Sequence, residues 1–194
     1  MKHLVIISLF VFFTVNLFSQ NKTLRPIIRK FKNDTIIWKQ DSLLRPIDFK
    51  ARPKPNGPLG LTASALFIYS GESGGELIFY VEALFVKSKS YITKSSEYVL
   101  RHEQLHFDIC ELYARKLRKK LSETDFKKVK KLTEEIQKQF NNSISQIQKE
   151  QEKYDKETEH GLNSAKQAIW NESIQKQIKD LDDYKSSAID IANK

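Results

Sequence analysis

All 5 prolines of this 194-residue chain fall between positions 26 and 58, and beyond Gly75 the only glycine is Gly161. Proline removes a backbone donor and glycine adds chain entropy, so each interrupts a long helix. Pro26, Pro46, Pro53, Pro55 and Pro58 therefore exclude a long helix from 20–60, whereas the chain from Tyr98 onward meets no such break for many turns. An extended beginning and a helical end are dictated before any other feature is considered.

Between these regimes the sequence reads as strand. Asp34 to Trp38 predicts a short strand, and Asn56-Gly57-Pro58 and Gly60 mark turns. Leu61 to Ser70 and Glu76 to Lys87 carry the Ile, Phe, Tyr and Val content of strands and flank the turn Gly71-Glu72-Ser73-Gly74-Gly75, which predicts a hairpin. That loop lacks the Lys-Ser/Thr and helix start of a phosphate cradle. Ser95 or Ser96 can cap a helix over Tyr98 to about Leu121, with Glu97 in its first turn. Ser122-Glu123-Thr124-Asp125 restarts a second helix, with Phe126, Val129, Leu132, Ile136, Phe140, Ile144 and Ile147 at spacings of three and four. Past Gly161 a third helix is expected, with Ala165, Ile169, Ile174, Ile178 and Leu181 as its apolar stripe. Strands first and helices afterward define an α+β fold, a small N-terminal antiparallel sheet followed by three long helices.

The first residues carry a different message. Lys2 and His3 precede an apolar run from Leu4 to Leu17, and Phe18-Ser19-Gln20-Asn21 restores polar character. The run falls short of the ~20 residues a spanning helix needs, so 1–19 reads as a signal peptide, with no stable membrane insertion after its removal. The expected organisation is a signal over 1–19, an extended Pro-rich segment over 20–60 packing on the domain, a domain over 61–170 and a helical tail over 171–194. Roughly 175 residues suffice for one core. With Cys110 the single cysteine, no internal disulfide can form, so a periplasmic or extracellular protein of this kind must rely on packing. The formal net charge is +9, with basic clusters at Arg115 to Lys120 and Lys127 to Lys131. No aromatic side chains interleave those clusters, so they read as solvated helix faces and nucleic acid is not an expected partner.

The chemistry concentrates in His102-Glu103-Gln104-Leu105-His106. Histidines four residues apart on a helix are offset by about 40°, so both imidazoles can reach one ion. Glu103 falls between them in angle, where it can address a water beside that ion. This is the H-E-x-x-H pattern of zinc hydrolases, with His102 and His106 as ligands and Glu103 as general base. Asp108 and Glu111 lie on the opposite side of the helix and are expected to face solvent or tether other helices. Cys110 shares the histidine stripe but is about 12 Å along the axis from His102, too far for the same ion, and is expected to pack as an apolar group.

A third ligand must then come from elsewhere. The longer metzincin pattern needs Gly at 109 and His at 112, where this chain has Ile109 and Leu112. The best source is Tyr154-Asp155-Lys156-Glu157-Thr158-Glu159-His160-Gly161, with His160 favoured and Asp155 and Glu157 open; Glu134 or Glu135 would be a more distant alternative. Tyr154 could donate to a developing oxyanion, or simply pack between helices. Trp38 and Trp170 are expected in the core.

Arg101 to Ile109 followed by Glu111-Leu112-Tyr113-Ala114-Arg115 resembles the signature of the bacterial predicted secreted zinc-dependent proteases, catalogued as domain of unknown function 922. The likeness extends to Tyr154-Asp155, Thr158, His160-Gly161, Gln167 and Trp170, and more weakly upstream to Trp38 and Ile47-Asp48-Phe49, so that it covers roughly 35–170. The resemblance implies a zincin-like fold with His102 and His106 as ligands and Glu103 as catalytic base; His160 as third ligand extends it. The expected protein is an exported zinc peptidase, with one Zn2+ per chain, acting on a peptide or protein substrate laid along the strand Glu76 to Lys87. The competing expectations are a metal-stabilised envelope interaction module without catalysis, and a zinc amidase acting on a cell-wall component.

Overall fold

The computed structural model describes residues 33–190 apart from 74, 75, 127, 128 and 130. The expected signal lies outside them. Six strands and three long helices follow one another as β1 (Thr35–Ile37), β2 (Gly60–Leu61), β3 (Ser64–Ser73), β4 (Glu76–Val86), β5 (Tyr91–Ile92), α1 (Glu97–Glu123), α2 (Leu132–Thr158), α3 (Ser164–Asp180) and β6 (Ala188–Asp190). The class is α+β, a small antiparallel sheet followed by three long helices, as the proline and glycine distribution requires.

β3 and β4 pair antiparallel from Ser64↔Phe85 to Ser73↔Glu76. Leu66 on β3 and Val81, Ala83 and Phe85 on β4 alternate toward the core, where a pleated strand places every second side chain. β1 pairs with Leu84 to Val86, and β6 with Ile78 to Tyr80. Because β3 occupies one side of β4 throughout, β1 and β6 share the other. β4 is therefore an internal strand, which corrects the expectation that Glu76 to Lys87 offers a free edge. β2 and β5 form a separate two-stranded ladder with Gly60 opposite Ile92 and Leu61 opposite Tyr91.

α1 starts where the Ser96 side chain accepts the Val99 N–H. It contacts β3, β4, α2 and α3, so it is enclosed on several sides and many of its polar residues are buried. Asp108 and Glu111 are satisfied in two networks. Asp108 accepts hydrogen bonds from Trp38 Nε1, Gln104 Nε2 and Gln175 Nε2, each 2.8 Å long. Glu111 accepts from Arg115 Nε at 3.0 Å and from Arg118 Nη1 and Nη2 at 2.9 and 3.2 Å. The same guanidinium groups donate to the carbonyls of Ile178 and Val81, both at 2.9 Å, fastening α1 to α3 and to the sheet. Of the two fates expected for Asp108 and Glu111, tethering is the one observed. Cys110 is fully buried in the core, and burial pushes its thiol up to about 12.

Three expectations need adjustment. α2 begins at Leu132, well past Ser122, although Ile136, Phe140, Ile144 and Ile147 form its buried stripe as the spacing predicts. On α3 the buried stripe is Gln167, Trp170, Ile174 and Ile178, at spacings of three, four and four. Ile169 is exposed, because Ala165 and Ile169 lie on a different face from Ile174. The tail is not a helix appended after 170: α3 runs through that point, and β6 returns to the sheet with Ile189 buried against the core. The described part of the Pro-rich segment does pack on the domain, with the Leu44 N–H donating to Gln104 Oε1 and Lys50 and Ala51 N–H donating to the carbonyls of Lys87 and Ser90. No described helix is long and apolar enough to cross a membrane.

Candidate metal centre

Two helices bring the chemistry together. His102, Glu103 and His106 occupy the first turns of α1, and Gln151, Tyr154, Asp155 and Thr158 form one buried face of α2 at spacings of three, one and three. Each of His102, His106 and Asp155 offers one ligand atom, and these atoms all lie within 4.8 Å of one another. Nε2 of His106 is 3.0 Å and Nε2 of His102 is 3.3 Å from the same carboxylate oxygen, Asp155 Oδ1. Three lone-pair donors converging in a buried space repel one another unless a cation or protons sit among them. The set of two imidazoles and one carboxylate suits a first-row metal ion and leaves coordination positions open.

The electrostatics of the group follow from its burial and from the contacts its members make with one another. Burial pushes the Asp155 carboxyl up, but hydrogen bonds from both histidines outweigh it and hold the group far below the usual carboxylate range. Burial alone would lower His106, yet the Asp155 carboxylate beside it raises it. Glu103 is raised chiefly by burial, with the two histidines opposing. Its Oε2 is buried and, among the described residues, has no hydrogen-bond partner. A buried carboxylate oxygen in that condition is costly, and Glu103 lines the cleft.

The support behind these residues is equally specific. His102 Nδ1 lies 2.9 Å from Gln167 Oε1 and 2.8 Å from the Tyr154 hydroxyl, which itself donates to Gln167 Oε1 at 2.7 Å. A proton on Nδ1 directed at this pair frees Nε2 to face Asp155, the arrangement by which neighbouring groups orient metal-binding imidazoles. Two glycines permit the close packing. A Cβ on Gly60 would stand 2.3 Å from Glu103 Oε1, and one on Gly161, whose φ is +83°, would stand 3.1 Å from His102 Cγ and Nδ1. The Thr62 hydroxyl donates to the Glu103 carbonyl at 3.1 Å, tying β2's exit to α1.

Of the sequence candidates, His102, Glu103, His106 and His160 line one cleft together with Asp155, but only the two α1 histidines and Asp155 bring their ligand atoms together. His160 lies beyond the end of α2, in a left-handed turn shared with Glu159 and Gly161. Its side chain is half-exposed, with Nδ1 at 3.7 Å from Asp155 Oδ2, and it stands outside the group of converging ligand atoms. The carboxylate alternative Asp155 occupies the place expected for it. Glu157 instead accepts from Trp170 Nε1, and Glu134 pairs with Lys131 on the surface. Tyr154 is completely buried and its hydroxyl is engaged behind the His102 ring, away from Nε2, so the oxyanion role expected for it gives way to a positioning one. Trp170 is in the core and Trp38 packs against it, as expected. The Ile144–Ile147 stripe, continued two turns, reaches Asp155 and was the available signal. Gly60 and Thr62 left none, because their contacts with Glu103 join positions far apart in the chain.

The fold and the site thus define an α+β protein with a buried two-histidine, one-carboxylate group able to hold a metal ion. Residues 87–161 match the sequence profile of a family described as a bacterial protein of unknown function (DUF922). The matched stretch contains all four residues of the centre. No curated protein and no solved structure matches the chain.

Proposed function

We propose that this protein is an exported zinc-dependent peptidase. The observation that carries the reading is the pairing of two features in one cleft: the His102, His106 and Asp155 donor set, and beside it the buried Glu103 carboxylate, whose Oε2 has no hydrogen-bond partner among the described residues. His102, His106 and Asp155 would hold the ion, and zinc supplies Lewis acidity that activates water and polarises a carbonyl. Glu103 accepts the proton of the attacking water and passes it to the departing amine. Its upward-shifted carboxyl is a better proton acceptor than an exposed glutamate, and Gly60 keeps it seated in the cleft. Tyr154 and Gln167 hold the His102 ring in one tautomer and orientation. The basic region, apolar run and polar exit over 1–21 support export.

A purely structural metal site has no use for a buried base, which disfavours the interaction-module reading. A zinc amidase would use the same groups on another substrate. The test is to express residues 20–194, measure bound metal, and assay a mixed peptide library with zinc supplied. About one zinc per chain and cleaved peptides are expected, and Glu103→Gln should keep the metal while losing about 100-fold or more of the turnover. Undiminished hydrolysis in that variant would contradict the mechanism.

A further inference from the structure

The walls of the cleft carry information that its centre does not. Leu59 and Leu162 are 50% and 75% exposed, and with Tyr98 at 37% they bring three of the chain's exposed large apolar side chains to the lining of this one cleft. Their placement follows from the two contact glycines. Gly60 lies against Glu103 and Gly161 against His102, so Leu59 and Leu162, the adjacent residues, enter the lining beside two different groups of the centre. Pro58, Leu61 and Val99 add to the apolar lining. Among the described residues no lysine or arginine lines the cleft, in a chain that has 33 of them, and the His160 imidazole in the lining stands 3.7 Å from the Asp155 carboxylate. A cleft built to hold an acidic polymer, a phosphate or a terminal carboxylate would place a cation there. Exposed leucines gathered at a site rather than scattered mark a surface meant to be covered.

We infer that the cleft takes an uncharged stretch of peptide away from its carboxyl end, with large apolar side chains near the bond at the centre seated against Leu59 and Leu162. This rests on the peptidase reading for the bond that is cleaved, but the recognition is a property of the walls. A charged side chain in either place loses hydration against leucine without gaining a partner. The stretch lies away from the carboxyl end because, among the described residues, no lysine or arginine lines the cleft to receive a terminal carboxylate.

The two readings separate in a binding experiment. Fluorescence anisotropy would follow three dansylated alanine hexapeptides, identical except for a central leucine, aspartate or lysine, titrated with the Glu103→Gln variant with and without zinc. The leucine peptide should bind at least about tenfold tighter than either charged one. Leu59→Asp and Leu162→Asp, both at exposed positions, should each abolish that preference without lowering the melting temperature. Equal binding of the three peptides, tighter binding of the lysine peptide, or a preference that survives both variants overturns the inference. Competition by neutral phosphatidylcholine vesicles would assign the leucines to a lipid surface and also overturn it. If the leucine peptide binds selectively but the wild-type protein never cleaves it, the peptidase reading falls and the inference about recognition stands.

Discussion

At the residue scale the centre turns on Asp155. It faces both histidines through one oxygen, so removing it takes away the only carboxylate of the donor set among the described residues and should be severe. Asp155→Ala is expected to weaken zinc binding by more than about 100-fold, while His160→Ala, altering a half-exposed ring outside the donor group, should cost less than about tenfold; competition against a chromogenic chelator measures both. Tyr154→Phe removes only the hydroxyl behind His102 and should fall between them. Gly60→Ala would drive a methyl into the Glu103 carboxylate, so turnover should drop with little change in zinc affinity. The H-E-x-x-H triplet was legible because four-residue spacing on one helix determines its own geometry. The third member of the group was only narrowed to a segment: chemical preference for imidazole pointed to His160, which lies beyond the end of α2, whereas the ligand atom that converges with those of the histidines belongs to Asp155.

At the scale of elements, α1 shows how a helix of modest hydrophobicity can be central. Its outer face is closed by Glu111, Arg115 and Arg118, whose hydrogen bonds reach both the sheet and α3. Glu111→Ala would leave two buried guanidinium groups without their shared carboxylate and should destabilise the protein by about 3–5 kcal/mol, read as a lowered midpoint in urea. The sequence placed Asp108 and Glu111 away from the histidines correctly, but could not tell solvent from a second packed layer. The same limitation hid β6: three residues beyond a helix have no periodicity to announce a strand, and only pairing with Ile78 to Tyr80 makes them one. With β6 and β1 along one side of β4, the proposed peptide substrate would not pair with β4, and Pro58 to Thr62 line the cleft beside α1.

Across the whole molecule, the pairing of Asp155 with the two histidines, which outweighs burial at Asp155 and His106, sets how the centre responds to pH. In the metal-free protein Asp155 is depressed below its ordinary 3.8, so the stability it contributes is present above that pH and lost as pH falls through its lowered value. His106 is raised above 6.5, so its contribution is present below that pH and lost as pH rises through its raised value. Zinc requires His106 neutral. Its binding near pH 7 should therefore release protons, with a calorimetric enthalpy that varies with the ionisation heat of the buffer, and apparent affinity should rise with pH through neutrality. The order of elements was legible from where proline and glycine fall; the convergence of α1 and α2 was not, because no local pattern encodes it. The most direct measurement of the central claim is anomalous diffraction at the zinc edge from crystals of the loaded protein. The account predicts one peak about 2.0–2.2 Å from Nε2 of His102, Nε2 of His106 and a carboxylate oxygen of Asp155, with His160 outside the coordination sphere. No peak there, or a peak held by His160 in place of Asp155, would contradict it.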